Sequence, residues 1–408
     1  MPTPLFALFV LAAAAIYFMT PEERTRLLRA CIAALKNAAH AATHPAKPDD
    51  PFIDLLRTRT RWVVVTPLLV VVHVLVFMQM ASAPGAISDP QTAIEWGANF
   101  APRTTNNEWQ RLIVSTFLHA GLLHLLATIA GLLLLGFVLE RIVGRVTFAA
   151  IYAASGLAAS VVSLWTTTPT AITLGPSGAI FGVYGLLLAS LVWTIVERPP
   201  VPIPLPVVKA CAAAAVPFFL YNGLTDHLSS TAELAGCATG LIGGLLTVRG
   251  LTREKPPLTR TAVLAAATAA VAIAAALPLR GITDFRPHIA QIASLEERTT
   301  TTYDQAVSEF RLGRLSAKRL AQLIDRTILP DLQGVKKRLS EVRGVPREQQ
   351  PLVDAADAYL KLREQSWRRR ADALLRSNLG MLREAERTER SALEAFQKIG
   401  SLSAAGAT

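Results

Sequence analysis

Residues 172–196 read ITLGPSGAIFGVYGLLLASLVWTIV, a Gly175-Pro176-Ser177-Gly178 turn running into an apolar stretch without a single charge. About 20 mostly apolar residues suffice to carry a helix across a bilayer, so this stretch reads as a membrane span. Gly178, Gly182 and Gly185 leave it a smooth stripe against which another helix can pack closely. Ser177 stands at its head between glycines. A nucleophilic serine needs an exposed hydroxyl and a backbone that a substrate carbonyl can approach, and glycines provide both. Small residues also line ordinary membrane-helix interfaces, so the tetrapeptide by itself leaves both readings open.

Working outward, seven further stretches approach spanning length: 4–19, 62–81, 112–139, 146–165, 203–220, 232–248 and 261–279. The 408-residue chain is 51% hydrophobic and 17% charged, against about 25% charged in an average globular domain. The stretch at 4–19 has no basic region before it and no small-x-small cleavage site after it, so a retained helix is favoured over a signal peptide. Arg24 to Arg61, Arg141 and Arg145, Arg198 and Lys209, and Arg249 to Arg260 occupy alternate connections, while 166–171 and 221–230 hold no Lys or Arg. The basic connections are expected on the cytoplasmic side, which with eight helices puts both termini outside. The net charge of +11 follows from that distribution, and no nucleic-acid partner is expected. Cys31, Cys211 and Cys237 form no disulfide or metal pattern.

Beyond Arg280 the chain turns charged, with apolar residues at helical spacing through Leu320, Leu323, Ile324 and Ile328, and again through Leu360, Leu374 and Leu382. Gly334, Gly344-Val345-Pro346 and Gly380 punctuate it. A soluble helical bundle or hairpin is expected over 280–400, with no catalytic motif and no identifiable partner, followed by a disordered tail at 401–408.

Four more elements surround the serine. Trp109-Gln110-Arg111 leads into His119 and His124 in an apolar helix, where ionisable side chains are costly and default to a functional reading. The bland reading is internal hydrogen bonding between helices. Leu139-Glu140-Arg141-Ile142-Val143-Gly144 makes a turn, and Ala232-Glu233-Leu234-Ala235-Gly236-Cys237-Ala238-Thr239-Gly240 repeats small residues at a spacing of four.

This ordered set resembles the rhomboid family of intramembrane serine proteases over about 62–248. The resemblance implies an all-α, polytopic fold: a six-helix core, here with one extra transmembrane helix at each end and a C-terminal soluble domain. The corresponding segments are 1–61, 62–248, 249–279, 280–400 and 401–408. It implies a Ser-His dyad without metal or cofactor, transmembrane proteins as substrates or clients, and a multi-pass location, expected to be a bacterial inner membrane.

Residue by residue, the family's serine falls on Ser177, its second-helix histidines on His119 and His124, and its flanking glycines on Gly175 and Gly178. The oxyanion asparagine falls on Thr128 and the dyad histidine on Glu233. A neutral carboxylic acid at 233 would hydrogen-bond Ser177 without taking its proton; a carboxylate would serve as a weak base. His227, six residues earlier, is an alternative base only if the intervening loop is not helical, since six residues turn a helix through about 240° beyond one full turn. Two functional readings follow: an impaired serine endopeptidase, or a pseudoprotease that binds membrane-protein clients. A transporter is disfavoured because few intramembrane charges are present to form a path.

Overall fold

A computed structural model describes residues 51–82, 89–213, 215, 230–248 and 257–405. The stretch at 4–19, the alternative base His227 and the basic residues 249–255 lie outside the described residues. The chain divides into two compact units at Arg280/Gly281.

In the first unit, α1 (Pro51–Arg59) precedes α2 (Val65–Ser82), and α3 (Pro90–Glu95), β1 (Asn99–Phe100), α4 (Ala101–Thr104) and α5 (Arg111–Val114) build the connection that follows. Then come α6 (Leu122–Val143), α7 (Arg145–Thr166), β2 (Ile172–Thr173), α8 (Ser177–Glu197), α9 (Leu205–Ala213), α10 (Ser230–Thr247) and α11 (Leu258–Ala276). Among the described residues, α2, α6, α7, α8 and α11 are long and apolar enough to cross a membrane, and α10 is a shorter apolar helix. The fold is all-α and polytopic apart from one antiparallel pairing, Asn99 with Thr173 and Phe100 with Ile172. Leu132, Leu135, Leu139 and Ile142 of α6 pack with Phe148 and Ile151 of α7 and Ile180, Val183 and Leu186 of α8. Leu68, Val71, Leu75 and Met78 of α2 point outward, as a bilayer solvent allows.

Two expected helices begin later than their apolar stretches. The stretch at 112–139 breaks after a 3-10 turn at Ser115–Phe117, and Leu118 is extended. His119 therefore lies in the loop and only His124 is helical, in the first turn of α6. The stretch at 172–196 starts as strand because Gly175 has φ +120° and Pro176 biases the residue before it away from helix.

Glu140 shows why these helices converge. It is fully buried and accepts hydrogen bonds from the Val64, Val65 and Thr66 amides (2.7, 2.9 and 2.7 Å) and the Thr66 hydroxyl (2.7 Å). A carboxylate at a helix N-terminus satisfies orphan donors and complements the dipole. One side chain of α6 thereby caps α2.

The second unit holds α12 (Arg286–Arg311), α13 (Ala317–Leu323), α14 (Leu329–Glu341), α15 (Gln350–Arg376) and α16 (Leu379–Ala405). A π turn at Ile324–Ile328 joins α13 to α14. Pro330, lacking an N–H and crowding the carbonyl four residues back, explains the widening. Gly334 lies inside α14 rather than punctuating the chain, and α16 continues through Ala405, past the start of the expected disordered tail. Ala404 and Ala405 are strong helix formers. Gly344 does mark a turn: its φ is +73° and its carbonyl accepts from the Thr283 amide at 3.0 Å. Arg363, 1% exposed, sits at the centre. It is bidentate to Glu296 (2.9 and 2.7 Å) and bonded to Glu389 (2.6 Å), tying α15 to α12 and α16.

Candidate active site

Glycines set the register that builds the site. A methyl group on Gly236 of α10 would overlap the Gly178 carbonyl of α8, and one on Gly240 would overlap the Gly182 carbonyl. Similarly, Gly185 packs on the Cys237 carbonyl and Gly244 on Ala189. The two helices therefore run in parallel with their backbones in contact. Glu233, one turn before Gly236, comes level with Ser177, one residue before Gly178. Glu233 is 4% exposed, and its carboxyl lies beside the Ser177 side chain.

Ser177 is the first residue of α8 and is half-buried. Its N-cap, Pro176, provides no side-chain cap, so the N–H groups of the first turn have no helical acceptor. Such donors can stabilise a developing oxyanion. Gly175 sits against the His124 ring, whose Cε1 lies 2.5 Å from where a Cβ would be, and its amide donates to the Ser115 carbonyl at 2.8 Å. That bond fixes the loop before α8 to the turn leading to His119, so Gly175 brings that loop against the His124 ring.

Thr128 is fully buried, and its hydroxyl donates to the His124 carbonyl at 2.9 Å. A threonine hydroxyl has one proton, so this donor is committed to its own helix. The site lacks the side-chain donor that an asparagine would extend.

From the His124 ring beside Gly175 runs a row of rings. His119 contacts His124 edge to face (centroids 5.3 Å apart) and His73 likewise (5.1 Å). His73 Nε2 and the Tyr152 hydroxyl are 2.8 Å apart. His119 is fully buried, and neither of its ring nitrogens has a partner among the described residues. His73 was absent from the sequence reading. Its signal was the one that singled out the other two, an ionisable side chain in the middle of an apolar span. The rings stack edge to face rather than converging, and among the described residues no group of three or more His, Cys, Asp or Glu is placed to hold a metal ion.

Arg111 acts at a distance from the serine. It is 4% exposed, pairs with Glu108 at 2.5 Å and donates to the Ala98 carbonyl at 3.1 Å and to the Ile94 carbonyl. It thus ties the connection after α2 to β1, whose partner β2 leads directly into Gly175.

Residues 106–250 match the rhomboid domain model. The rhomboid protease AarA of Providencia stuartii is 27% identical over 229 residues, 50% of this chain and 79% of that protein. RHOMBOID-like protein 5 of Arabidopsis thaliana is 41% identical over 91 residues, 22% of this chain and 29% of its own length. The rhomboid protease GluP of Bacillus subtilis is 33% identical over 124 residues, 30% of this chain and 24% of its own. Apart from AarA, the chain spans less than half the length of these relatives, and 42% of a further Bacillus subtilis one. By the domain match, residues 106–250 carry a rhomboid domain.

Proposed function

We propose that this protein binds transmembrane protein clients in the manner of a rhomboid while being disarmed as a protease. The observation that carries the reading is the Thr128 hydroxyl bound to the His124 carbonyl. Together with a carboxyl at 233, it leaves Ser177 without a dyad imidazole among the described residues and without the oxyanion donor an asparagine would extend, His124 being retained against Gly175. Removing one oxyanion donor costs about 10²–10³ in rate in serine enzymes, and losing the base costs several orders more. The fold that accommodates a transmembrane segment is retained, and the second unit is proposed as a recruiting module.

One observation favours the alternative of a slow endopeptidase: the Glu233 carboxyl lies beside the Ser177 side chain, where a general base belongs. Fluorophosphonate labelling of the purified full chain separates the two. The disarmed reading expects no labelling of the unmodified protein and Ser177-dependent labelling of Glu233→His. Labelling of the unmodified protein that disappears in Ser177→Ala would establish an activated serine and replace the binding reading.

A further inference from the structure

A groove of about 730 Å³ runs between α7, α10 and α11, away from Ser177. Val161 and Val162 of α7, Ile242 and Leu246 of α10, and Ala267 and Ala272 of α11 form much of its wall. Its origin lies in the sequence of α11. That helix is pinned to α7 near its start by Thr261 to Thr147 (3.0 Å) and near its end by the Trp165 indole to the Ala275 carbonyl (2.9 Å). Between these pins its side chains are mostly alanine, too short to close the gap. Val263 and Val271 in its wall are exposed, so the groove opens to the surroundings of the membrane unit and can take an occupant from there.

Three features specify that occupant. The groove extends along α11 from Arg260 to Ala275, about 22 Å at 1.5 Å per residue. An acyl chain of one leaflet, about 15 Å deep, fits within that length. Arg260 is the only charged residue in the wall and has no ion-pair partner among the described residues. It stands in the first turn of α11, where a cation opposes the helix dipole, so helix stability does not account for it. Trp193 lines the same end, because Ala189 meets Gly244 one turn before it. Its indole N–H is buried with no acceptor among the described residues, and an unpaired donor at membrane depth is costly.

We propose that this groove is a binding site for an anionic phospholipid: one acyl chain lies along α11, the phosphate pairs with Arg260 and an ester carbonyl accepts from Trp193. The test is native mass spectrometry of the full chain titrated with phosphatidylglycerol and phosphatidylcholine bearing identical chains. Phosphatidylglycerol is expected to bind in preference, and Arg260→Gln to reduce that preference about fivefold, as one basic residue near a charged headgroup contributes. Trp193→Phe is expected to weaken both lipids. Ala267→Trp fills the groove and is expected to abolish retention, whereas Ile273→Trp, on the outward face of the same helix, is expected to leave it unchanged. Equal retention of the two lipids by the unmodified protein, or undiminished retention by Arg260→Gln, overturns the proposal even if Ala267→Trp fails to fold. Displacement of the lipid by a hydrophobic transmembrane peptide would overturn it in favour of a client site.

Discussion

Thr128 and Glu233 differ in how they alter the site. Glu233 keeps a contact with Ser177 and changes its chemistry, whereas Thr128 turns its only proton toward its own helix. The two effects should therefore be separable. Relative to Glu233→His alone, Thr128→Asn added to Glu233→His is expected to raise the rate of Ser177 fluorophosphonate labelling on the order of 10²-fold, the contribution of an oxyanion donor. Equal rates for the two variants would mean that backbone donors suffice. Glu140 makes a structural counterpart. Glu140→Ala strips acceptors from three amides and a hydroxyl, and with about 1–3 kcal/mol for each donor left unsatisfied, a loss of at least about 3 kcal/mol is expected. Unfolding of the purified protein in denaturing detergent would measure it.

At the scale of elements, two kinds of contact hold the units together. In the membrane unit the α8–α10 contact depends on absent side chains. Gly240→Val places a branched side chain against the Gly182 carbonyl and should force the helices apart. The expected outcome is a lower melting temperature together with loss of Ser177 labelling in the Glu233→His background; unchanged labelling would show that the register is set elsewhere. In the second unit, three helices instead meet on charge. Arg363→Met leaves the part-buried Glu296 and Glu389 without their common partner, Arg370 and the Tyr359 hydroxyl remaining to them, so a loss of about 3 kcal/mol, the lower end for a broken buried pair, is expected. Replacing Arg363, Glu296 and Glu389 together by apolar residues should cost less, because the carboxylates that lost their common partner disappear as well. A comparison of the two variants by thermal unfolding checks this.

At the scale of the whole molecule, the membrane unit is built on apolar packing and the second unit carries the response to acid. Lys336, supported by Arg368 against partial burial, holds the Glu364 carboxyl down at about 2 from a usual 4.5. Burial works against the charge on Glu389, but Arg363 and Arg370 outweigh it and its carboxyl also lies below the usual range. A carboxyl whose folded pKa is depressed contributes its full stabilisation above its unfolded value and loses it as pH falls toward the folded one. The second unit is therefore expected to weaken between about pH 4.5 and 2, with Glu364→Gln flattening that limb. Amide exchange in α14 and α15, corrected for the intrinsic rate at each pH, would follow it. A profile identical in Glu364→Gln would assign the acid limb to other groups.

Spanning helices could be read from the sequence alone because the bilayer demands some 20 apolar residues of any helix that crosses it. The rhomboid pattern was equally local, since Gly175 to Gly182 and Ala232 to Gly240 each lie within one short stretch. Helix starts were less legible, because apolar composition does not distinguish the extended residues before Ser177 or around His119 from the helices that follow. Tertiary structure alone decided the rest. The pairing of Glu233 with Ser177 depends on a backbone contact between helices more than 50 residues apart, and the fate of the Thr128 proton depends on a rotamer. His73 joined the histidine row only when α2 packed beside it. Hydropathy fixes which segments enter the membrane, but the side-chain chemistry of the site follows from how they touch, and contact across such distances leaves no local trace in composition or periodicity.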